Sequence, residues 1–460
     1  MPAAKKPVKP AKPAKRPANT GKPATSAGKA RVSKAAGPDV EWFIHDRFGL
    51  FIHWGLYALP ARHEWIRHHE RISVEDYQKY FDAFDPDLFD PKAWAKAAKA
   101  AGMKYFVITA KHHEGFCLWD SAFTDYKATN TPCGKDLVRE VVDAFRAEGL
   151  RVGLYYSLID WHHPQFTIDR IHPLRDDKEF REREKGRDIK VYAQYMRDQV
   201  RELLTNYGKI DILWFDFSYP GEDGKSHQDW ESGKMLEMIR SIQPDIILDN
   251  RLDLPGSGDI VTPEQFLPAE GVTDEDGNPA VWEGCQTFSG SWGYHRDEAS
   301  WKSPKMLVEM LVEHVSKGGN LLLNVGPTAR GEFDERALSR LAAFAEWTRR
   351  HGRSIYNCGK APEGFQPPND CRYTYNPETK RLYVHLFGWP FRHLHLPGMK
   401  GKIKYAQFLN DASEIKFTES KDELMTHGHC DASGPRGAAT LELPIVKPNV
   451  EVPVVEIFLK

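Results

Sequence analysis

"DLVREVVDAFRAEGLRVGLYYSLIDW", residues 136–161, holds two different periods in one stretch. Leu137, Val138, Val141, Val142 and Phe145 recur at three- and four-residue spacing, which lines them along one face of a helix, and Gly149 supplies its C-terminal stop. The run "RVGLYYSLIDW" (151–161) that follows is short, apolar and aromatic, as a buried strand requires. The same alternation extends outward in both directions. Strands are expected at "FGLFIHW" (48–54), "YFVITAKHH" (105–113), "DILWFDF" (211–217), "DIILDNRL" (245–252) and "NLLLNVGP" (320–327). Helices are expected at 91–102, 186–207, 229–243, 304–317 and 333–350. Strands alternating with helices build a parallel sheet, and over about 300 residues a (β/α)8-like barrel is the best single architecture. A doubly wound sheet competes, but no GxGxxG follows the first strand. From about residue 357 the pattern changes to strand alternation with turn residues between, in "RYTYNPETKRLYVHLFGWP", "KIKYAQFL", "ATLELPIV" and "VPVVEIFL", which predicts a C-terminal antiparallel β-sandwich. The expected partition is a basic tail over 1–38, a catalytic domain over 39–356 and the sandwich over 357–460.

The net charge of −2 conceals two segments of opposite character. Residues 1–38 carry ten Lys or Arg, no acid and no aromatic, so they lack the apolar surface to offset ordering entropy and are expected to be disordered. Without those ten charges the rest of the chain stands at −12. An acidic body argues against nucleic acid as its partner. No apolar run follows Met1 and none approaches the roughly 20 residues of a membrane span. The six cysteines lie far apart without zinc spacing, which suggests reduced thiols; a protein that is cytoplasmic, or otherwise without a recognisable signal peptide, is expected.

Barrel enzymes build their sites at the C-terminal ends of the strands. Those ends carry His53 and Trp54, His112 and His113, Tyr155 and Tyr156, Trp214 and Asp216, and Arg251. Asp216 stands between Phe215 and Phe217 after an apolar run, where a carboxylate is costly unless paired or used. The pairs His112–His113 and His162–His163 invite a metal reading, but neighbours on one strand point to opposite faces and neither pair has the HExxH spacing. No metal and no cofactor is therefore expected. No GxSxG marks a nucleophilic serine. Carboxylates beside hydrogen-bonding and aromatic groups remain, which is the chemistry of glycoside cleavage, and Asp216 fits the carboxylate that faces the anomeric carbon.

At this point the residues resemble a known family, the α-L-fucosidases of glycoside hydrolase family 29. The resemblance is carried in order by "RFGLFIHWGLYALPARHEW", "YFVITAKHHEGFCLWDS", "KDLVREVVDAFRAEGLRVGLYYSLIDW", "DILWFDF", "LDNRL", "SGSWGYHRDE" and "SKGGNLLLNVGPTARGEF". It implies a retaining exo-glycosidase acting on fucosylated oligosaccharides or glycoconjugates, with Asp216 as nucleophile. It further implies sugar hydroxyls held by His53, Glu64, His112, His113, Tyr155 and Arg251, and apolar walls at Trp65, Trp214 and Trp292. The family's acid/base lies a dozen or so residues beyond the strand-end arginine, which here matches Glu264. Glu283, whose apolar neighbours would raise its pKa, is the rival, and Glu270 a third. Glu264 and Glu270 fall in "DLPGSGDIVTPEQFLPAEG", a Gly- and Pro-rich stretch expected to form a mobile loop, and Glu283 falls beyond it in "VWEGCQTF". A non-catalytic sugar-binding protein on the same scaffold would have lost a carboxylate, and this chain keeps Asp216. Deletion of residues 1–38 is expected to leave kcat/KM on a small fucoside unchanged within about twofold, measured beside the full chain.

Overall fold

The computed structural model describes residues 38–274, 277–420 and 435–460, so the basic tail, Pro38 apart, lies outside the described residues. Within them the opening stretch folds as its two periods dictate. Asp136 caps the helix Leu137–Ala147 by accepting from the Arg139 amide, and Gly149 ends it at a φ of 75°. The five apolar residues of that helix are buried, and the Phe145 ring packs 4.1 Å from Phe106 of the sheet.

The sheet contains β1 (Phe48–Ile52), β2 (Tyr105–Lys111), β3 (Arg151–Ser157), β4 (Ile212–Asp216), β5 (Ile247–Leu248), β6 (Glu283–Thr287) and β7 (Asn320–Val325). They run in the order β5-β4-β3-β2-β1-β7-β6, every neighbour parallel. The eighth place, between β5 and β6, is filled by an irregular stave. Single parallel bridges join Asp249 to Ile260, Val261 to Trp282 and Glu264 to Cys285. The Val261 amide donates to Val281 O at 2.9 Å, the Cys285 amide to Pro263 O at 3.0 Å and the Gln265 amide to Cys285 O at 3.0 Å. The stretch expected to be a mobile loop is therefore tied into the barrel along residues 260–265. The β-branched run Ile260-Val261-Thr262 favours extension, while Pro263, without an N–H, keeps the ladder incomplete.

The strand expected over 245–252 is short for a related reason. The Asp249 side chain takes the Phe215 amide at 3.0 Å, and the chain then coils into a 3-10 turn over Asn250–Leu252. β6 corresponds to no expected strand.

The C-terminal part holds two antiparallel sheets. One contains β8 (Cys371–Asn376), β9 (Arg381–Leu386), β11 (Ile403–Phe408) and β14 (Val454–Leu459); the other contains β10 (His393–Leu396), β12 (Phe417–Glu419) and β13 (Ala439–Glu442). Val384 and Ile457 of the first share one core with Leu396 and Leu441 of the second, which makes a sandwich. It is fastened to the barrel layer by the Trp347 indole donating to Val452 O at 3.0 Å and by Arg372 paired with Glu313 at 2.7 Å.

Phe145→Ala is expected to cost about 3–5 kcal/mol through loss of a buried ring and the cavity left behind. Urea unfolding is expected to show a lower midpoint at an unchanged slope, with kcat unaltered below the transition.

Candidate active site

The C-terminal mouth of the barrel opens on a cavity of about 420 Å³. Alternation along each strand decides which side chains reach it. His53 faces the cavity, whereas Trp54 points to the helix layer, packs on Trp94 and donates to Thr328 O. Tyr155 faces it, whereas Tyr156 donates outward to Gln199. Asp216, the last residue of β4, is on the inner face, and the chain then turns sharply, with Phe217 held at a φ of 73°.

Asp216 is held at both oxygens. Tyr155 donates to Oδ2 at 2.8 Å, and Arg251 Nη1 donates to Oδ1 at 2.7 Å. The same Nη1 lies 2.7 Å from Glu264 Oε2. Two oxygens each 2.7 Å from one nitrogen are separated by at most twice that distance, which falls at or inside the separation of about 5–5.5 Å typical of retaining glycosidase carboxylates. Arg251 is itself fixed: Nε donates to Thr262 Oγ1 and Nη2 to Thr262 O, both at 3.1 Å, and the guanidinium stacks 4.4 Å over Trp214. The facing carboxylates hold its pKa well above the ordinary arginine value against the opposing effect of burial.

His53 and His113 are kept neutral, because burial first and neighbouring histidines second push both well below the ordinary value. Asn324 Oδ1 accepts from His53 Nδ1 at 2.6 Å, and Asn324 Nδ2 donates to Trp292 O at 2.6 Å, so one amide orients a histidine and a tryptophan together. His113 Nδ1 bonds Ser157 Oγ at 2.7 Å, and since that hydroxyl donates to Ile159 O, the ring nitrogen is the donor and Nε2 is left as an acceptor, 4.0 Å from Asp216 Oδ2.

His112 and His113 were expected on opposite faces; both line the cavity, with ring centroids 4.0 Å apart. β2 ends at Lys111, and the turn closed by the Gly115 amide on His112 O removes strand alternation at this pair. The other pair is absorbed by packing, with His162 stacked 3.8 Å on Tyr126 and His163 4.3 Å from Tyr195. Trp65, Trp214 and Trp292 all wall the cavity. Glu64 does not reach it and lies instead along an adjoining cavity, its Oε2 accepting from the Gly293 amide at 2.9 Å. Its Oε1 has no hydrogen-bond donor among the described residues, because His63 Nδ1, 3.3 Å away, already accepts from the Trp65 amide.

The three glutamates separate cleanly. Glu264 lines the cavity on the eighth stave, with its side chain 41% exposed. Glu270 is on the surface, 3.8 Å from Lys360. Glu283, the first residue of β6, is fully buried at the opposite end of the barrel, where its carboxylate accepts from the Tyr105 hydroxyl and from the Trp214 indole at 3.4 Å. Burial raises it to about 7, as its apolar neighbours suggested, yet it lines no part of the cavity.

Several lining residues have no counterpart among the expected ones: Phe51, Phe217, Ser218, Tyr219, Asn250, Asp253 and Cys285. Most follow a strand end by one to three residues, so only their position was available as a signal. Burial pushes the Cys285 thiol well up despite the opposing charge of Arg251 3.8 Å away, which makes it a poor nucleophile. Among the described residues no group of three or more His, Cys, Asp or Glu is placed to hold a metal ion, and no helix is long and apolar enough to cross a membrane.

Carboxylates, neutral histidines and tryptophan walls at the C-terminal mouth of a parallel barrel are the plan of a glycoside hydrolase. Known proteins identify the kind. The family model described as alpha-L-fucosidase matches residues 19–353, and the chain belongs to that family. It is 31% identical over 438 residues to plasma alpha-L-fucosidase of Rattus norvegicus, covering 88% of this chain and 87% of that one. Among solved structures, alpha-L-fucosidase isoenzyme 1 from Paenibacillus thiaminolyticus superposes with a TM-score of 0.85 at 49% identity, over 92% of this chain and 98% of that one. A Bacteroides thetaiotaomicron α-L-fucosidase trapped as a covalent intermediate with 2-fluoro-fucosyl fluoride superposes at 0.77 and 28% identity, over 91% and 95% of the two chains.

A buried carboxyl whose pKa is higher folded than unfolded stabilises the protein fully below the unfolded value and loses that contribution as pH rises through the folded one. For Glu283 the window runs from about 4.5 to about 7, and the shift corresponds to about 3 kcal/mol. Glu283→Gln is expected to remove this part of the fall in stability between pH 5 and pH 8, read as melting temperature against pH for both proteins.

Proposed function

We propose that the protein removes terminal α-L-fucosyl residues from oligosaccharides or glycoconjugates by double displacement, with Asp216 as nucleophile and Glu264 as acid/base. The observation that carries this reading is the single Arg251 nitrogen 2.7 Å from both carboxylates. In the first step an Asp216 oxygen bonds to the anomeric carbon, the glycosidic C–O bond breaks, and the Glu264 proton goes to the departing oxygen. In the second, water attacks the same carbon, gives its proton to Glu264 and releases Asp216 as carboxylate. Each displacement inverts the centre, so the product retains its configuration.

The remaining wall supports a 6-deoxy sugar. Neutral His53 and His113 offer ring nitrogens in fixed directions to hydroxyls, while Trp65, Trp214 and Trp292 offer flat apolar faces to the C5 methyl and ring C–H groups. Tyr155 bonds the proposed nucleophile and so sets where its charge points.

Asp216→Gly is expected to lower kcat by about 10³-fold or more, with turnover restored by added azide acting as an external nucleophile. Glu264→Ala is expected to abolish cleavage of an unactivated fucoside while sparing formation of the glycosyl-enzyme from an activated aryl fucoside, whose leaving group needs no proton. Burst kinetics on the two substrates separate the steps. Loss of that burst in Glu264→Ala, or full activity in Asp216→Gly, would remove the respective role.

A further inference from the structure

Beside the Asp216 cavity lies a second, more open one of about 760 Å³. Trp65 and Trp292 belong to both, so the two are contiguous across a tryptophan threshold. The stave that carries Glu264 divides between them. Gln265 is held at a φ of 58°, a left-handed conformation that turns successive side chains apart: Glu264 lines the first cavity and Gln265 the second. Gln265 is fixed there by its amide on Cys285 O at 3.0 Å and by Nε2 donating to Thr287 Oγ1 at 3.2 Å. The oxygen that receives a proton from Glu264 therefore leaves at the edge of this second space.

The lining states what the space suits. His69, Gln265 and Ser300 present polar groups, Glu64 adds a buried carboxylate that accepts from hydroxyls and repels anions, the two tryptophans and the half-exposed Met306 present apolar faces, and this mixture matches a neutral sugar ring with its hydroxyl edge and C–H face. Lys302 is the one Lys or Arg among its lining residues, and its ammonium is already taken by Thr287 O at 2.6 Å and Ser289 O at 3.2 Å. It is not presented as a hook for an anion.

We propose that this second cavity is the leaving-group subsite and that it selects a neutral saccharide, with His69 and Met306 as specificity-determining residues. The inference rests on the roles proposed for Asp216 and Glu264. Three substrates test it: α-L-fucosyl fluoride, whose one-atom leaving group cannot occupy the subsite, a neutral fucosyl disaccharide, and the same disaccharide sulfated on its reducing sugar. His69→Ala and Met306→Ser are each expected to lower kcat/KM for the neutral disaccharide about tenfold or more while leaving fucosyl fluoride within about twofold, which also reports that the variants fold. The sulfated disaccharide is expected to be the poorer substrate of the wild-type protein by at least about tenfold. Equal loss on fluoride and disaccharide, or none on either, overturns the subsite. Equal turnover of neutral and sulfated disaccharides overturns the selection for neutral sugars. Failure of the underlying reading has a different mark, full turnover of fucosyl fluoride by Asp216→Gly.

Discussion

One guanidinium between two carboxylates is the interaction on which the mouth of this barrel depends. Asp216 and Glu264 come from different staves, and negative charge on either is costly in a partly dry cleft without a cation beside it. Arg251 Nη1 meets both at 2.7 Å, and the rest of the guanidinium is spent on Thr262, two residues before Glu264 on the same stave. The contacts that orient the charge pair are thus also contacts that hold the eighth stave to β5. A lysine there would place one point charge and lose the planar fork that engages Asp216, Glu264 and Thr262 together. It would lose much of the stacking on Trp214 as well.

Beneath that layer Phe51, Val107, Ile212, Ile247 and Leu322 fill the barrel with an apolar core, and a buried polar network closes its floor. Glu283 accepts from Tyr105 and Trp214, Asn320 Nδ2 lies 3.3 Å from the Tyr105 hydroxyl, and Arg47 Nη1 donates to Asn320 Oδ1 at 3.3 Å. Tyr105 reaches Glu283 only because its neighbour across the pair is Gly49: a Cβ on Gly49 would stand 2.2 Å from the Tyr105 ring. Trp214 links the layers, with its indole N–H on Glu283 below and its face under Arg251 above. The floor thereby fixes the platform on which the guanidinium rests.

What could be read in the sequence follows the same physics. The helices over 137–147, 189–206 and 304–316 were legible because apolar residues repeat at helical spacing and bury one face. Strand-end residues were legible because alternation places His53, Tyr155 and Asp216 on one side. β6 was not, since Glu283, Gly284, Gln286 and Thr287 replace the apolar run with polar groups that find partners only inside the closed barrel. The eighth stave was hidden by Pro263 within it and by the flanking Pro255, Gly256, Gly258 and Pro268, which signal loops locally. The His112–His113 pair was misread because alternation was applied past the end of its strand. Glu64 could not be separated from the sugar-facing residues by sequence, because the choice between two adjoining cavities is made by the Gly293 amide, which comes from 229 residues away in the chain.

The shared cation also fits the way charge moves in the proposed cycle. Before cleavage Asp216 is the anion and Glu264 carries the proton; after the first displacement Asp216 is a neutral ester and Glu264 is the anion. The negative charge therefore passes from one carboxyl to the other and returns in the second half. A cation beside only one of them would favour one half of the cycle and oppose the other. Arg251 Nη1 stands at the same 2.7 Å from each, so the anion keeps the same partner whichever carboxyl holds it. Because Thr262 and Trp214 fix the guanidinium, the exchange requires no large movement of the cation, which is the condition under which preorganised charge lowers both barriers.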